Sequence, residues 1–234
     1  MIRFQQTQIG YKKALISIEN LELESSAIYA LVGRNGSGKS TFLKTITGQI
    51  SLLGGNLEID SRSTKEVKAA ELSRIISFVE SKFDGVSFLS VENYLALGRA
   101  PYTNALGRLS AKDMEIVHEV AEEMGLTEFL EKDTINLSDG ERQLCAIARA
   151  LVQQTPILLL DEPTAFLDFA NKQLLIDKLL HIAKEKQKCI VFSTHDLDLC
   201  IENKIEFLAL KNKTLNKISC QTKVELIRFL EEKE

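Results

Sequence analysis

Apolar positions along this chain change their period several times, and each change marks an element. Near the start Ile16, Ile18, Leu21 and Leu23 recur at a spacing close to two, which predicts short half-buried strands. Ala27 to Val32 is then almost continuously apolar and reads as a further strand. It leads into Gly33-Arg34-Asn35-Gly36-Ser37-Gly38-Lys39-Ser40-Thr41, after which Phe42, Leu43 and Ile46 follow helical spacing until Gly48. The local order is strand, glycine loop, helix. Between about 86 and 150 the strand signals fade. Helices are predicted over Val91 to Leu97 and Lys112 to Met124, the second opened by the capping pattern Ser110-x-x-Asp113 and closed by Gly125. From Ile157 onward alternation returns: strand Ile157 to Leu160, helix around Leu174 to Ala183, strands Cys189 to Ser193 and Ile205 to Leu210. This predicts an α/β fold, a mostly parallel sheet flanked by helices, with residues 1–234 forming one domain that carries the helical insertion. In the tail, Thr222-x-x-Glu225 opens a short helix with Val224, Ile227 and Leu230 on or near one face, expected to cover the core.

Charge narrows the partners. The 29 Lys plus Arg against 33 Asp plus Glu leave a net charge of -4, so no overall basic field is present to hold nucleic acid or an anionic membrane. No nucleic-acid partner is expected, and any membrane contact must be local. The longest apolar runs, such as Ile157 to Leu160, fall far short of the roughly 20 residues a membrane span requires. The start Met1-Ile2-Arg3-Phe4-Gln5-Gln6 lacks the pattern of a secretory signal, so a cytoplasmic location is expected. Cys145, Cys189, Cys200 and Cys220 are scattered, which argues against a zinc site or disulfide framework and for buried thiols.

Three segments carry chemistry. Gly33-x-x-x-x-Gly38-Lys39-Ser40 meets the full phosphate-loop pattern in the strand and helix context it needs. Gly36 and Gly38 let backbone N–H groups approach phosphate oxygens, the new helix adds its positive end, Lys39 reaches the β and γ phosphates, and Ser40 binds Mg²⁺. Ile157 to Leu160 ends in Asp161-Glu162. Successive strand residues point to opposite sides, so the two acids can differ in task, Asp161 toward Mg²⁺ and Glu162 toward an attacking water; alone, they also read as solvated acids at a strand end. Leu137-Ser138-Asp139-Gly140-Glu141 is followed by Leu144, Ile147, Ala148 and Leu151 at helical spacing, and in isolation Ser138-x-x-Glu141 is equally a capping box.

Taken in order, a phosphate loop, Leu-Ser-x-Gly-x, an apolar strand with Asp-Glu, and a His after another strand resemble the ATP-binding cassette family over essentially the whole chain. The resemblance implies a P-loop NTPase fold with a RecA-like parallel-sheet core, an antiparallel β subdomain and an inserted helical subdomain. It implies an ATP hydrolase with ATP and Mg²⁺ as cofactors. Nucleotide contacts are implied for Tyr11, by stacking on adenine, and for Gly33, Arg34, Asn35, Gly36, Ser37, Gly38, Lys39, Ser40 and Thr41. Tyr11 is also consistent with an ordinary strand aromatic. Ser138 and Gly140 resemble the signature element that meets the nucleotide of a facing subunit, and Phe166-Leu167-Asp168 resembles the loop that crosses between subunits. Two copies would then form a head-to-tail homodimer around two ATP. His195 resembles the switch histidine and joins Glu162 and Lys39 as catalytic candidates, whereas His118 and His181 read as exposed helix residues.

Two positions depart from the family pattern. Glu80 stands where a metal-ligating Gln usually ends the strand predicted over Arg74 to Val79; a carboxylate is a good hard-cation ligand but adds charge near the γ phosphate. Asp139 and Glu141 replace the common Gly and Gln, which a polyphosphate tolerates only if they point away or cap the helix. The stretch Leu97-Gly98-Arg99-Ala100-Pro101-Tyr102-Thr103-Asn104, with Leu106-Gly107-Arg108-Leu109-Ser110-Ala111-Lys112-Asp113, resembles importers of iron chelates, haem and cobalamin. It reads by composition alone as a Gly/Pro loop between helices. The resemblance implies an importer subunit peripheral on the cytoplasmic side of the membrane, partnered by permease subunits and indirectly by an external binding protein. The alternative from another class is a soluble assembly ATPase like that of iron-sulfur cluster assembly.

Overall fold

The computed structural model, which describes residues 1–103 and 107–231, sets the apolar run at 27–32 in the middle of a sheet. Among the described residues ten strands join it: β1 (Ile2–Gly10), β2 (Ala14–Leu23), β3 (Ala27–Gly33), β4 (Gly54–Ile59), β5 (Arg62–Ser63), β6 (Ile76–Val79), β7 (Ile157–Leu160), β8 (Cys189–Ser193), β9 (Glu206–Lys211) and β10 (Thr214–Ile218). Their spatial order is β5-β4-β1-β2-β10-β9-β3-β8-β7-β6. The run from β9 to β6 is parallel throughout, while β5, β4, β1 and β2 pair antiparallel.

Alternation across the pleat divides the interior into two cores. Ala30 and Val32 of β3 and Leu158 and Leu160 of β7 face one; Tyr29, Leu31, Ile157 and Leu159 face the other. Both faces are covered, which is why these strands are apolar at every position. The helices are α1 (Lys39–Ile46), α2 (Ala69–Leu72), α3 (Val91–Ala96), α4 (Ala111–Met124), α5 (Asp139–Val152), α6 (Phe169–Glu185), α7 (Leu197–Glu202) and α8 (Lys223–Glu231). Helix α1 packs with β1 and β2 in the second core, and α3, α4, α5 and α6 close the first. Among the described residues no helix is long and apolar enough to cross a membrane.

The predicted short strands before residue 24 are two long ones that slip together. Burial changes phase between Phe4 and Thr7 in β1 and between Ile18 and Leu21 in β2, with Gln6 at φ 45°. Because the shift is matched, Phe4 still faces Leu21 and Thr7 faces Ile18, and both strands keep one apolar face inward.

The helical region is staked by one buried ion pair. Leu97–Tyr102 forms a 3-10 turn, and Arg99 reaches Asp113 Oδ1 at 2.8 Å, Val152 O at 3.0 Å and Gln154 Oε1 at 3.1 Å while its guanidinium covers the Tyr102 ring. Gly98 is required there, since a Cβ would sit 2.3 Å from Arg149 O. Asp113 also completes the capping box with Ser110, and these bonds together with Arg99 hold its carboxyl down at about 2. Within that stretch, Gly98, Arg99 and Asp113 are thus accounted for by packing and hydrogen bonding among the helices. Asn104 and Leu106 lie outside the described residues.

Other elements differ in extent from expectation. The strand predicted from Arg74 begins only at Ile76, because turn bonds such as Ile75 N to Leu72 O hold the preceding residues. The helix around Leu174 extends over Phe169–Glu185, since Asp168 caps it by accepting from Asn171 N at 2.8 Å. Helix α8 buries Leu226, with Phe229 and Leu230 packed against the core, and leaves Val224 exposed, so its inward face is one residue spacing away from the expected one. Cys145, Cys189 and Cys200 are buried, with burial pushing each thiol up to about 12; Cys220 is only half-buried.

Candidate nucleotide-hydrolysing site

The site begins where β3 runs out at Gly33. A Cβ there would lie 2.9 Å from Leu210 Cβ and 3.1 Å from Leu210 O, so the loop can leave the sheet only as glycine. Gly38, at φ 105°, then turns the chain into α1, whose N-cap offers no side-chain hydrogen bond. Uncapped N–H groups and the positive end of the helix dipole face the loop. The Ser37 Oγ is buried beside it without a hydrogen-bond partner. An anion with several acceptor oxygens satisfies both.

Lys39 is the buried positive charge at the end of the loop, Arg34 being exposed. The Lys39 Nζ donates to Gly33 O at 3.1 Å and lies 3.4 Å from His195 Nε2. Burial lowers its pKa, an effect opposed by the charges of Glu162 and Asp161. His195 Nε2 is in turn 3.2 Å from Glu162 Oε1. Three residues predicted from separate segments therefore meet, because β3, β7 and β8 are parallel and end on the same edge.

Asp161 and Glu162 diverge, although for a reason different from strand alternation. Asp161 still belongs to the ladder, through Asp161 N to Val79 O at 2.9 Å, whereas Glu162 has left it at φ 49°. A turn separates their directions. Asp161 is buried and Glu162 partly exposed. Ser40 lies exposed on the first turn of α1. Its hydroxyl and the Asp161 carboxylate are hard oxygen donors of the kind Mg²⁺ takes, with phosphate oxygens and water to complete the shell, so the donor set fits that ion.

Glu80 follows β6 and is engaged by Lys44 of α1, with Nζ 3.5 Å from its Oε1. It borders a cleft with Gln49, Phe83, Tyr94 and Arg149. The Lys44 contact engages Oε1 and leaves the second carboxylate oxygen for another partner.

The added acids of the Ser138 segment are both accounted for locally. Glu141 caps α5, accepting from Ser138 N and Oγ at 2.7 Å each, and these bonds lower its pKa. Asp139 pairs with Arg142 at 2.5 Å. Gly140 backs onto the Phe166–Leu167 turn, where a Cβ would come within 3.3 Å of Phe166 O. Phe166 is partly and Phe169 largely exposed on this edge. Tyr11 lies in the bend between β1 and β2, 66% exposed, so its ring is free of the sheet packing that a strand aromatic would have. His118 bonds Glu92 at 2.7 Å on the surface, and His181 is exposed.

Sequence reading missed the supports of this constellation. Ser193, wholly buried, bridges the two acids, and Asp196 is held by Thr164 at 2.5 Å and by Lys172 at 2.8 Å, tying the residue after His195 to the segment after Glu162. Their only signal was proximity in sequence to Glu162 and His195.

A glycine loop on a parallel strand, a buried lysine and a carboxylate beside a histidine define a P-loop nucleotide hydrolase. Residues 17–165 match the family model described as ABC transporter, and the chain belongs to that family. It is an ATP-binding, ATP-hydrolysing cassette. It is 32% identical over 208 residues to the petrobactin import ATP-binding protein FpuD of Bacillus anthracis, covering 88% of this chain and 76% of that one. It is 31% identical over 214 residues to the iron(3+)-hydroxamate import ATP-binding protein FhuC of Bacillus subtilis, covering 91% and 80%. Among solved structures, a dimeric ATP-binding cassette in a post-hydrolysis state with ADP and Pi superposes with a TM-score of 0.80 at 26% identity, covering 94% of this chain and 98% of that one.

Proposed function

We propose that this chain drives import of an iron complex through separate membrane permease subunits, two copies closing head to tail on two ATP molecules. The observation that carries the ATPase chemistry is the meeting of Lys39, Glu162 and His195 at one edge of the parallel sheet. In this reading Lys39 and the N–H groups of the loop hold the β and γ phosphates, and Arg34, Asn35, Gly36, Ser37 and Thr41 complete the cradle. Ser40 and Asp161 would hold Mg²⁺, which neutralises charge on the phosphate oxygens when bound. Glu162 accepts a proton from the attacking water, and His195, between Glu162 and Lys39, senses the γ phosphate. Ser138 and Gly140 meet the nucleotide of the other copy, and the exposed Phe166 and Phe169 supply apolar area for that contact. Closure on ATP and opening after hydrolysis would move the permease. Iron-complex cargo is supported by what FpuD and FhuC are named for.

The family resemblance assigns Tyr11 to adenine stacking, and its exposed ring is available for it. Tyr11→Ala weakens ATP binding by roughly 5- to 150-fold, the equivalent of about 1–3 kcal/mol for one stacked base, and Tyr11→Phe leaves it near wild type. Nucleotide titration by fluorescence checks both. The importer reading is tested by recovering the tagged chain with its partners from membranes of its native cell and measuring ATP turnover on the same sample. A polytopic permease with turnover supports it; recovery of soluble partners alone overturns it.

A further inference from the structure

A single buried hydroxyl joins the two acids of the site. Ser193 ends β8 and has no exposed surface. Its Oγ donates to Asp161 Oδ1 at 2.5 Å and accepts from Glu162 N at 2.8 Å. A serine hydroxyl has one proton, so that proton is committed to Asp161 and fixes which carboxylate oxygen acts as acceptor there. The second bond holds a backbone that has already departed from the β7 ladder, at φ 49°. On the far side of β8, Ser193 pairs in register with Leu31 of β3, two residues before the phosphate loop opens. One side chain therefore references the direction of Asp161 and the turn at Glu162 to the strand that leads into the phosphate loop.

We propose that Ser193 is a positioning residue of the ATPase site, its hydroxyl orienting Asp161 for the cation and Glu162 for the water through two bonds that act together. The proposal rests on the roles given above to Asp161 and Glu162. With Oδ1 held by Ser193, Asp161 retains its other oxygen for the metal shell. Without the hydroxyl, Asp161 is free to rotate and the Glu162 N–H loses its acceptor. A partner of this kind orients a ligand without touching the metal, and its loss typically costs 10- to 100-fold in metal affinity or activity.

Ser193→Val and Ser193→Thr have nearly the same volume and differ in the hydroxyl, so their comparison isolates it from packing. The readouts are the Mg²⁺ concentration for half-maximal ATP turnover, the affinity for a fluorescent ATP analogue with Mg²⁺ relative to that in EDTA, and the thermal unfolding midpoint. In Ser193→Val the Mg²⁺ requirement rises by about 10- to 100-fold and the gain in nucleotide affinity conferred by Mg²⁺ shrinks, while binding in EDTA is retained. Ser193→Thr keeps the wild-type Mg²⁺ dependence. Equal Mg²⁺ dependence in the two variants overturns the proposal. Should the branched side chains unfold β8, Ser193→Ala gives the same comparison against wild type: a shifted Mg²⁺ dependence in folded protein supports positioning, and an unshifted one overturns it. Asp161→Asn is measured in parallel. Wild-type Mg²⁺ dependence in that variant would remove Asp161 from the cation shell, a failure of the underlying assignment that is distinct from failure of the Ser193 proposal.

Discussion

Replacing Glu162 by Gln lowers steady-state ATP turnover by about 10²- to 10⁴-fold, the range for losing a general base, and leaves ATP binding near wild type. The substitution is nearly isosteric. It keeps the backbone bond from Glu162 N to Ser193 Oγ, and the side-chain amide oxygen can still meet His195. What disappears is a basic carboxylate able to take a proton from water. Because Lys39, the loop N–H groups and Asp161 are untouched, binding and turnover separate cleanly. Single-turnover hydrolysis together with equilibrium nucleotide binding checks this, and near-normal turnover would remove Glu162 from the mechanism. If two copies close on ATP before hydrolysis as proposed, ATP-bound dimers also accumulate in this variant.

The second large effect lies away from the nucleotide. Asp113→Ala leaves the Arg99 guanidinium buried without its carboxylate, and breaking a buried pair in this way costs about 3–5 kcal/mol. For a chain of this size each kcal/mol lowers the melting temperature by roughly 2–4 °C, so a drop of about 6–20 °C is expected by thermal melting at neutral pH. The pH dependence has a definite sign. The carboxyl is held at about 2 in the fold against an ordinary 3.8, so its contribution is whole above the ordinary value and is lost as the pH falls through about 2. The gap between wild type and Asp113→Ala therefore narrows between about pH 4 and 2. A gap independent of pH across that window would show that the carboxylate charge does not carry the pair.

How much of the site was legible follows from where its information lies. The phosphate loop is nine contiguous residues whose glycines serve backbone geometry, so composition and spacing reveal it; Gly38 is needed for its positive φ, whereas the need for Gly33 is set by Leu210 on the neighbouring strand β9. The ends of β7 and β8 were visible because a wholly apolar strand stops at Asp161 and a second, apolar through Phe192, gives way to Ser193-Thr194-His195. The divergence of Asp161 and Glu162 was expected from pleat alternation, yet it arises from a left-handed residue stabilised by Ser193, a partner on another strand. Glu80 was expected near the metal only through the family resemblance, while its ion pair with Lys44 of α1 depends on the tertiary fold. In the tail, three apolar residues at helical spacing suggested one face; of these Leu230 does pack against the core, while Val224 is exposed and Leu226 is the residue wholly buried.

By itself the sequence determined the class of chemistry and the alternation of strands and helices, because each rests on local backbone geometry or on periodic burial, and the order of its motifs carried the resemblance to the family. Tertiary structure alone decided that Lys39, Glu162 and His195 meet, that Ser193 ties the two acids together, and that Arg99 and Asp113 pair inside the helical region. Those outcomes depend on which parallel strands become neighbours and on which polar groups must find partners once buried. Neither condition is written in any one segment; both follow only when the β7, β8 and β3 ends are brought to a common edge.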